Sequence, residues 1–175
     1  YKSSKVGFGF GTGFEYLEDL NFGINLDNFY EKISTDGSAS ARQKTQDGNY
    51  WDTFLDFDFD YDKRNQKYDT SSGFRNFYSL KMPLISDTNT LSNSLNYKYY
   101  TELYDNNITT ASFLFKSSNS ITGKNIKLSE RLFVPASKLR GFESGKIGPK
   151  DGTDFIGGNF ITSANISTTL PQILE

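Results

Sequence analysis

The sequence predicts an all-β chain: an antiparallel transmembrane β-barrel segment of about seven strands with one long extracellular loop. Three observations carry this. Apolar and polar residues alternate with period two in seven segments, while helical periodicity is almost absent. Aromatic residues reach 16%, with 16 Phe and 11 Tyr, although hydrophobic residues total only 35% and mean hydropathy is -0.57. No apolar run approaches the ~20 residues of a membrane helix, whereas the segments match the ~9–11 residues of a tilted membrane strand.

The segments run in order along the chain. In the first, 6–16, Phe8, Phe10, Phe14 and Tyr16 share one parity, and Gly7, Gly9, Gly11 and Gly13 fill the other. The second sets Leu20, Phe22, Ile24 and Leu26 against Asn21, Gly23, Asn25 and Asp27. The third, 51–62, sets Trp51, Leu55, Phe57, Phe59 and Tyr61 against a row that includes Asp52, Asp56, Asp58, Asp60 and Asp62. The fourth (74–84) places Phe74, Tyr78, Leu80 and Met82 on one face, and the fifth (94–104) Leu95, Tyr97, Tyr99 and Leu103. The sixth (108–116) contributes Ala111, Phe113 and Phe115, and the seventh (158–170) Phe160, Ala164, Ile166 and Leu170. One apolar face and one polar face, repeated seven times, describe a sheet between lipid and water. Phe8, Phe10, Phe14, Phe22, Ile24, Leu55, Phe57 and Phe59 then share the lipid face, and Asp56, Asp58 and Asp60 face the lumen. A soluble sandwich or solenoid also alternates, but its shared core favours Val, Ile and Leu over these Phe and Tyr residues. Trp51, Tyr97, Tyr99 and Tyr100 are candidate girdle residues.

The expected connections are short (17–19), long (31–50), intermediate (63–73 and 85–93), short (105–107) and long (117–157). Outer-membrane barrels carry short periplasmic turns and long extracellular loops. Taking 17–19 as periplasmic makes 117–157 extracellular. The glycines of 6–16 are expected to leave lumen space for an inserted loop. The chain opens on Tyr1 without Met or signal peptide and stops just past a strand-like run, so a piece of a longer protein is expected.

Composition restricts the chemistry. Net charge is -2 and the isoelectric point is near 5.3, so there is no basic surplus for nucleic acid. The sequence holds no Cys and no His, which removes disulfides, thiolate nucleophiles, Ser-His triads and most zinc sites. The run from Asp56 imitates a calcium loop, but Tyr61 and Lys67 stand where Gly and Glu are needed. Gly141 to Lys146 is one residue short of a phosphate loop, and Ile147 replaces the magnesium-binding Ser or Thr. No enzyme, cofactor or metal is indicated.

Residues 129–159 hold the functional signal, since a long loop with clustered motifs is a common seat of function. Leu139-Arg140-Gly141-Phe142, Ile147-Gly148-Pro149-Lys150-Asp151 and Gly157-Gly158-Asn159 follow Glu130-Arg131-Leu132-Phe133. Upstream stand Asp62-Lys63-Arg64 and Ser72-Gly73. In this order they resemble the BamA-type outer-membrane assembly insertase family, whose sixth extracellular loop carries the RGF motif. The resemblance implies a 16-stranded barrel behind periplasmic POTRA domains. Residues 1–175 would be part of that barrel domain, with 117–157 as the inserted loop and the other strands and POTRA domains outside this sequence.

It further implies a protein that folds and inserts other barrels into the bacterial outer membrane. The implied partners are client outer-membrane proteins, accessory assembly lipoproteins and the lipid bilayer, with no nucleic acid. A related translocation barrel (TamA or TpsB-like) and a passive porin-like channel are the alternatives. Two departures stand out: Val134-Pro135-Ala136 precedes the RGF motif in place of a Gly pair, and Ser167 replaces the glutamate that usually pairs with its arginine. Arg140 is therefore expected to pair either with an aspartate beyond Glu175 or with a carboxylate of the 52–62 strand, in a lumen that also presents Glu102.

Overall fold

The computed structural model describes residues 1–104 and 107–169. Six long strands follow one another: β1 (Lys2–Leu17), β2 (Leu20–Ser34), β3 (Gly48–Asp62), β4 (Gly73–Ser86), β5 (Thr90–Tyr104) and β6 (Asn107–Ser120). Two-residue strands β7 (Lys150–Asp151) and β8 (Asp154–Phe155) make a separate hairpin, and β9 (Phe160–Thr168) completes the main sheet. That sheet is antiparallel with seven strands in the order β1-β2-β3-β4-β5-β6-β9. It forms an open wall rather than a closed barrel. No helix among the described residues is long and apolar enough to cross a membrane.

The register joins the apolar residues into one face. Phe14 lies opposite Phe22, Phe22 opposite Phe59, Phe59 opposite Tyr78, Tyr78 opposite Leu95 and Leu95 opposite Phe115. Two aromatic rims bound this face. Tyr30 and Trp51 meet at 6.3 Å between ring centroids, and Tyr61, Phe74 and Tyr97 form a chain with spacings of 5.5 and 6.0 Å. Trp51 and Tyr61 stand ten positions apart on β3. At about 3.4 Å per residue and a tilt of roughly 35–45° the rims lie about 25 Å apart, the height of an outer-membrane apolar band.

Several expectations need correction. Six strands run 14–16 residues, beyond the expected 9–12, because β2 and β3 continue pairing past the Tyr30–Trp51 rim. The 31–50 loop thereby shrinks to 35–47, which holds the short helix α1 (Ala41–Lys44). The middle connections are unequal: 63–72 is long, and 87–89 is a tight turn held by Ser86 Oγ, which accepts from the Thr88 and Asn89 amides. Residues 105–106 and Leu170 lie outside the described residues. Tyr100 is not a girdle residue. It pairs with Gly73 and Thr110, one position out of phase with Tyr97 and Tyr99, and borders a concavity with Arg64, Arg75, Phe77, Asn96 and Lys98.

The glycine row of β1 leaves little open space. Gly7, Gly9 and Gly11 lie opposite Phe29, Asp27 and Asn25, whose side chains lean over them where a Cβ would sit. Only Gly13, opposite Gly23, leaves a gap.

The inner face is not polar throughout. Ile33, Phe54, Leu114 and Ile161 occupy the lumen parity of β2, β3, β6 and β9, and all are buried. Ile126, Leu128 and Ile156 from the long loop are the other buried apolar residues among those described. The loop has folded back onto the inner face, and a small hydrophobic core seals the contact.

Candidate functional site: the long loop and its seat

The loop begins beyond Ser120 and returns to the sheet at Phe160. Its first turn inserts Lys127 between Ile126 and Leu128, and only 1% of the Lys127 side chain is exposed. The ammonium lies 3.3 Å from Glu31 Oε2 of β2 and 3.4 Å from Glu130 Oε1 of its own loop, and it donates to Asp52 of β3. Glu31 and Asp52 are themselves fully buried. Burial alone would lower the lysine's pKa, but Glu130, Asp52 and Glu31 outweigh it and hold the pKa above the usual value. A buried charge survives only when paired and hydrogen-bonded, so this cluster fixes the loop base where the wall offers both carboxylates.

Hydroxyls complete the shell. Ser3 of β1 and Ser129 donate to Glu31 at 2.5 and 2.9 Å. Ser86 of β4 donates to Asp52 at 2.5 Å, and Thr90 of β5 to Glu130 at 2.6 Å. Tyr1 Oη donates to the Leu128 carbonyl at 3.3 Å, and Gln46 Nε2 to that of Ile126 at 3.3 Å. Sequence patterning misses this hub because Glu31 falls in the expected 31–50 loop and Lys127 belongs to no motif. Strand parity carried past Leu26 would have put Glu31 on Asp52's face.

The returning limb is fastened separately. Leu132 and Gly158 exchange backbone bonds at 2.9 and 2.8 Å. Gly157 has φ of 71°, and a Cβ there would meet the Phe133 ring and the Leu132 carbonyl at 2.9–3.0 Å. Glycine is required on both counts. The Asn159 carbonyl accepts from the Ser118 amide at 2.8 Å, and that of Pro149 from Ile156 at 3.0 Å. Asp151 and Asp154 reach the start of α1: their carboxylates accept from the amides of Arg42 at 3.1 Å and Ser40 at 2.9 Å. Side-chain and backbone bonds from Ser40 and Arg42 depress the Asp151 pKa.

Between these fastenings lies the tip. Arg140, Gly141 and Phe142 are exposed, with Gly141 at φ of 86°. Ile147 is half-buried and Gly148 exposed. Among the described residues Arg140 has no ion pair or hydrogen bond, so the wall does not bring it to the carboxylates of 52–62. Asp52 is taken by Lys127, and Asp56, Asp58 and Asp60 are engaged within the sheet. Asp60 takes a bidentate bond from Arg75 at 2.8 and 2.6 Å, Asp58 accepts from Asn25 at 3.0 Å, and Asp56 lies 3.5 Å from Lys81. All three share the inner parity of β3. Arg131 Nε is buried with no partner among the described residues, and burial followed by nearby Arg42 lowers that group's pKa.

The opposite rim explains the other motif. Arg64 grips Asp62 at 2.8 and 2.7 Å, which raises the arginine's pKa, and Lys63 bridges to Asp19 at 2.6 Å. Gly73, at φ of 99°, closes that turn where a Cβ would strike the Lys63 carbonyl.

An aromatic-rimmed apolar face, a charged inner face and a long loop folded onto that inner face define a section of an outer-membrane-type β-barrel. The chain belongs to the Omp85 superfamily, whose domain matches residues 1–174. Among solved structures it is similar to BamA from Haemophilus ducreyi lacking POTRA domains 1-3, with a TM-score of 0.87 at 21% identity. The likeness covers 100% of this chain and 39% of that one, so this chain spans well under half its relative's length. No curated protein matches the sequence.

Proposed function

We propose that the chain is part of the membrane barrel of an assembly protein that folds and inserts other β-barrel proteins into the bacterial outer membrane. The observation that carries this reading is the loop. It is clamped to the inner wall at both ends, yet it presents the exposed Arg140-Gly141-Phe142 tip with no partner among the described residues. A loop that merely narrowed a pore would need no such motif. The work is done by backbone pairing: client strands add to an exposed barrel edge, and each added strand satisfies groups that lipid cannot. Client outer-membrane proteins, the bilayer and accessory lipoproteins are the partners of this reading. Arg140 then takes a carboxylate from elsewhere in the barrel through charge-assisted bonds.

Complementation of a depleted strain by the full-length protein tests the proposal. Arg140→Ala should impair client insertion and growth while the barrel remains folded, and Lys138→Ala should behave as wild type. Equal, wild-type growth for both would remove the motif from the mechanism. Translocation barrels of the TamA or TpsB type share the family, and the number of POTRA domains ahead of the barrel separates them.

A further inference from the structure

The Lys127 hub does more than hold the loop. Its ligands come from five successive strands and the loop: Ser3 on β1, Glu31 on β2, Asp52 on β3, Ser86 on β4, and Thr90 on β5 through Glu130. All five positions lie at the loop-side ends of their strands, and the three carboxylates converge on one ammonium that water barely reaches. Lys5 of β1, 3.6 Å from Glu31, is a second cation for that carboxylate but is exposed and reaches neither Asp52 nor Glu130. The wall supplies two buried carboxylates, Glu31 and Asp52, and the loop supplies the buried cation that bridges them.

We infer that Lys127 is a keystone: seating of the long loop and mutual order of the loop-side ends of β1–β5 are one coupled equilibrium. Withdrawing the loop removes the ammonium that bridges Glu31 and Asp52, so two like charges on adjacent strands face each other unbridged and the strand ends carrying them splay or take up protons. Conversely, spreading β2 from β3 separates the two wall carboxylates and loosens the loop base. The coupling is reciprocal, as any linkage between two equilibria must be. It is distinct from Arg140, which touches none of these groups. Under the assembly reading, on which this extension rests, the hub would let a change in wall shape reach the RGF tip.

Amide hydrogen exchange on the full-length protein in bilayers tests the keystone directly. Lys127→Met should speed exchange at least about tenfold in 125–133 and also at the loop-side rungs Ser3–Ile33 and Lys32–Asn49, because removing one partner of a buried charge cluster is strongly destabilising. The far rungs Phe14–Phe22 and Phe59–Tyr78 should keep wild-type rates, and Arg140→Ala should leave every one of these positions unchanged. If Lys127→Met fails to form a barrel, Glu130→Gln keeps both wall carboxylates and their lysine. It should speed exchange at the start of β5 and in the loop base. Acceleration confined to the loop, or none at all, overturns the keystone. The exchange result stands apart from client insertion, so failure of the assembly reading would show in complementation alone.

Discussion

Lys127 and Arg140 sit on the same loop, and the fold treats them in opposite ways. Lys127 lies among three carboxylates under a hydrophobic cover, while Arg140 stays in solvent at the tip. The same contrast governs neighbours on β3. Phe57 lies on the outer face between Ile24 and Leu80, and Asp58 on the inner face beside Asn25. Phe57→Arg should cost about 2–4 kcal/mol in urea unfolding of the full-length barrel from vesicles, the penalty of a cation near the bilayer midplane. Asp58→Asn keeps an acceptor for Asn25 and should cost under about 1 kcal/mol. Equal costs would mean that the two faces are misassigned. Gly157→Ala forces a side chain into a left-handed backbone and against Phe133, at about 1–3 kcal/mol. Its readout is faster exchange of the Leu132 and Gly158 amides.

At the scale of elements, period-two patterning located all seven strands, because lipid on one side and water on the other impose opposite chemistry on alternate residues. It faltered where that contrast ends. Around the Tyr30–Trp51 rim the inner face meets the loop instead of water, so Phe29, Ile33 and Phe54 point inward while Asn28 and Lys32 point outward. Each face there mixes apolar and charged residues, Glu31 with Phe29 and Ile33 inward and Tyr30 with Lys32 outward, so the alternation blurs beyond Leu26 and Glu31 falls in the expected 31–50 loop. The 87–89 turn is tighter than the expected 85–93 connection because Ser86 Oγ gathers two amides and Asn89 takes a left-handed φ of 47°, without a Gly-Pro signature. The RGF, IGPKD and GGN segments were legible as motifs, but their partners required the fold. Asp151 shows this, since its contact with α1 joins loops more than a hundred residues apart. Its pKa is lower in the folded state, so the stabilisation is present above the unfolded value of about 3.9 and is lost as pH falls through the folded one. The protection of the Arg42 amide relative to its intrinsic exchange rate should therefore fall below about pH 4. Insensitivity there would show that Asp151 does not hold α1.

For the molecule as a whole, one apolar face and one charged face are built from the same seven strands, and the loop belongs to the charged one. Among the described residues the loop base around Ile126–Leu128 is seated on the inner face of the wall. The most direct test is a spin-label scan of the full-length protein in bilayers, with single cysteines at each position from 53 to 61 and at 126 and 128. Accessibility to lipid-soluble oxygen should peak at 55, 57 and 59, fall at 56, 58 and 60, and stay low with strong immobilisation at 126 and 128. Flat or reversed alternation on β3, or mobile water-exposed labels at 126 and 128, would contradict a lipid-facing wall with the loop seated on its inner side.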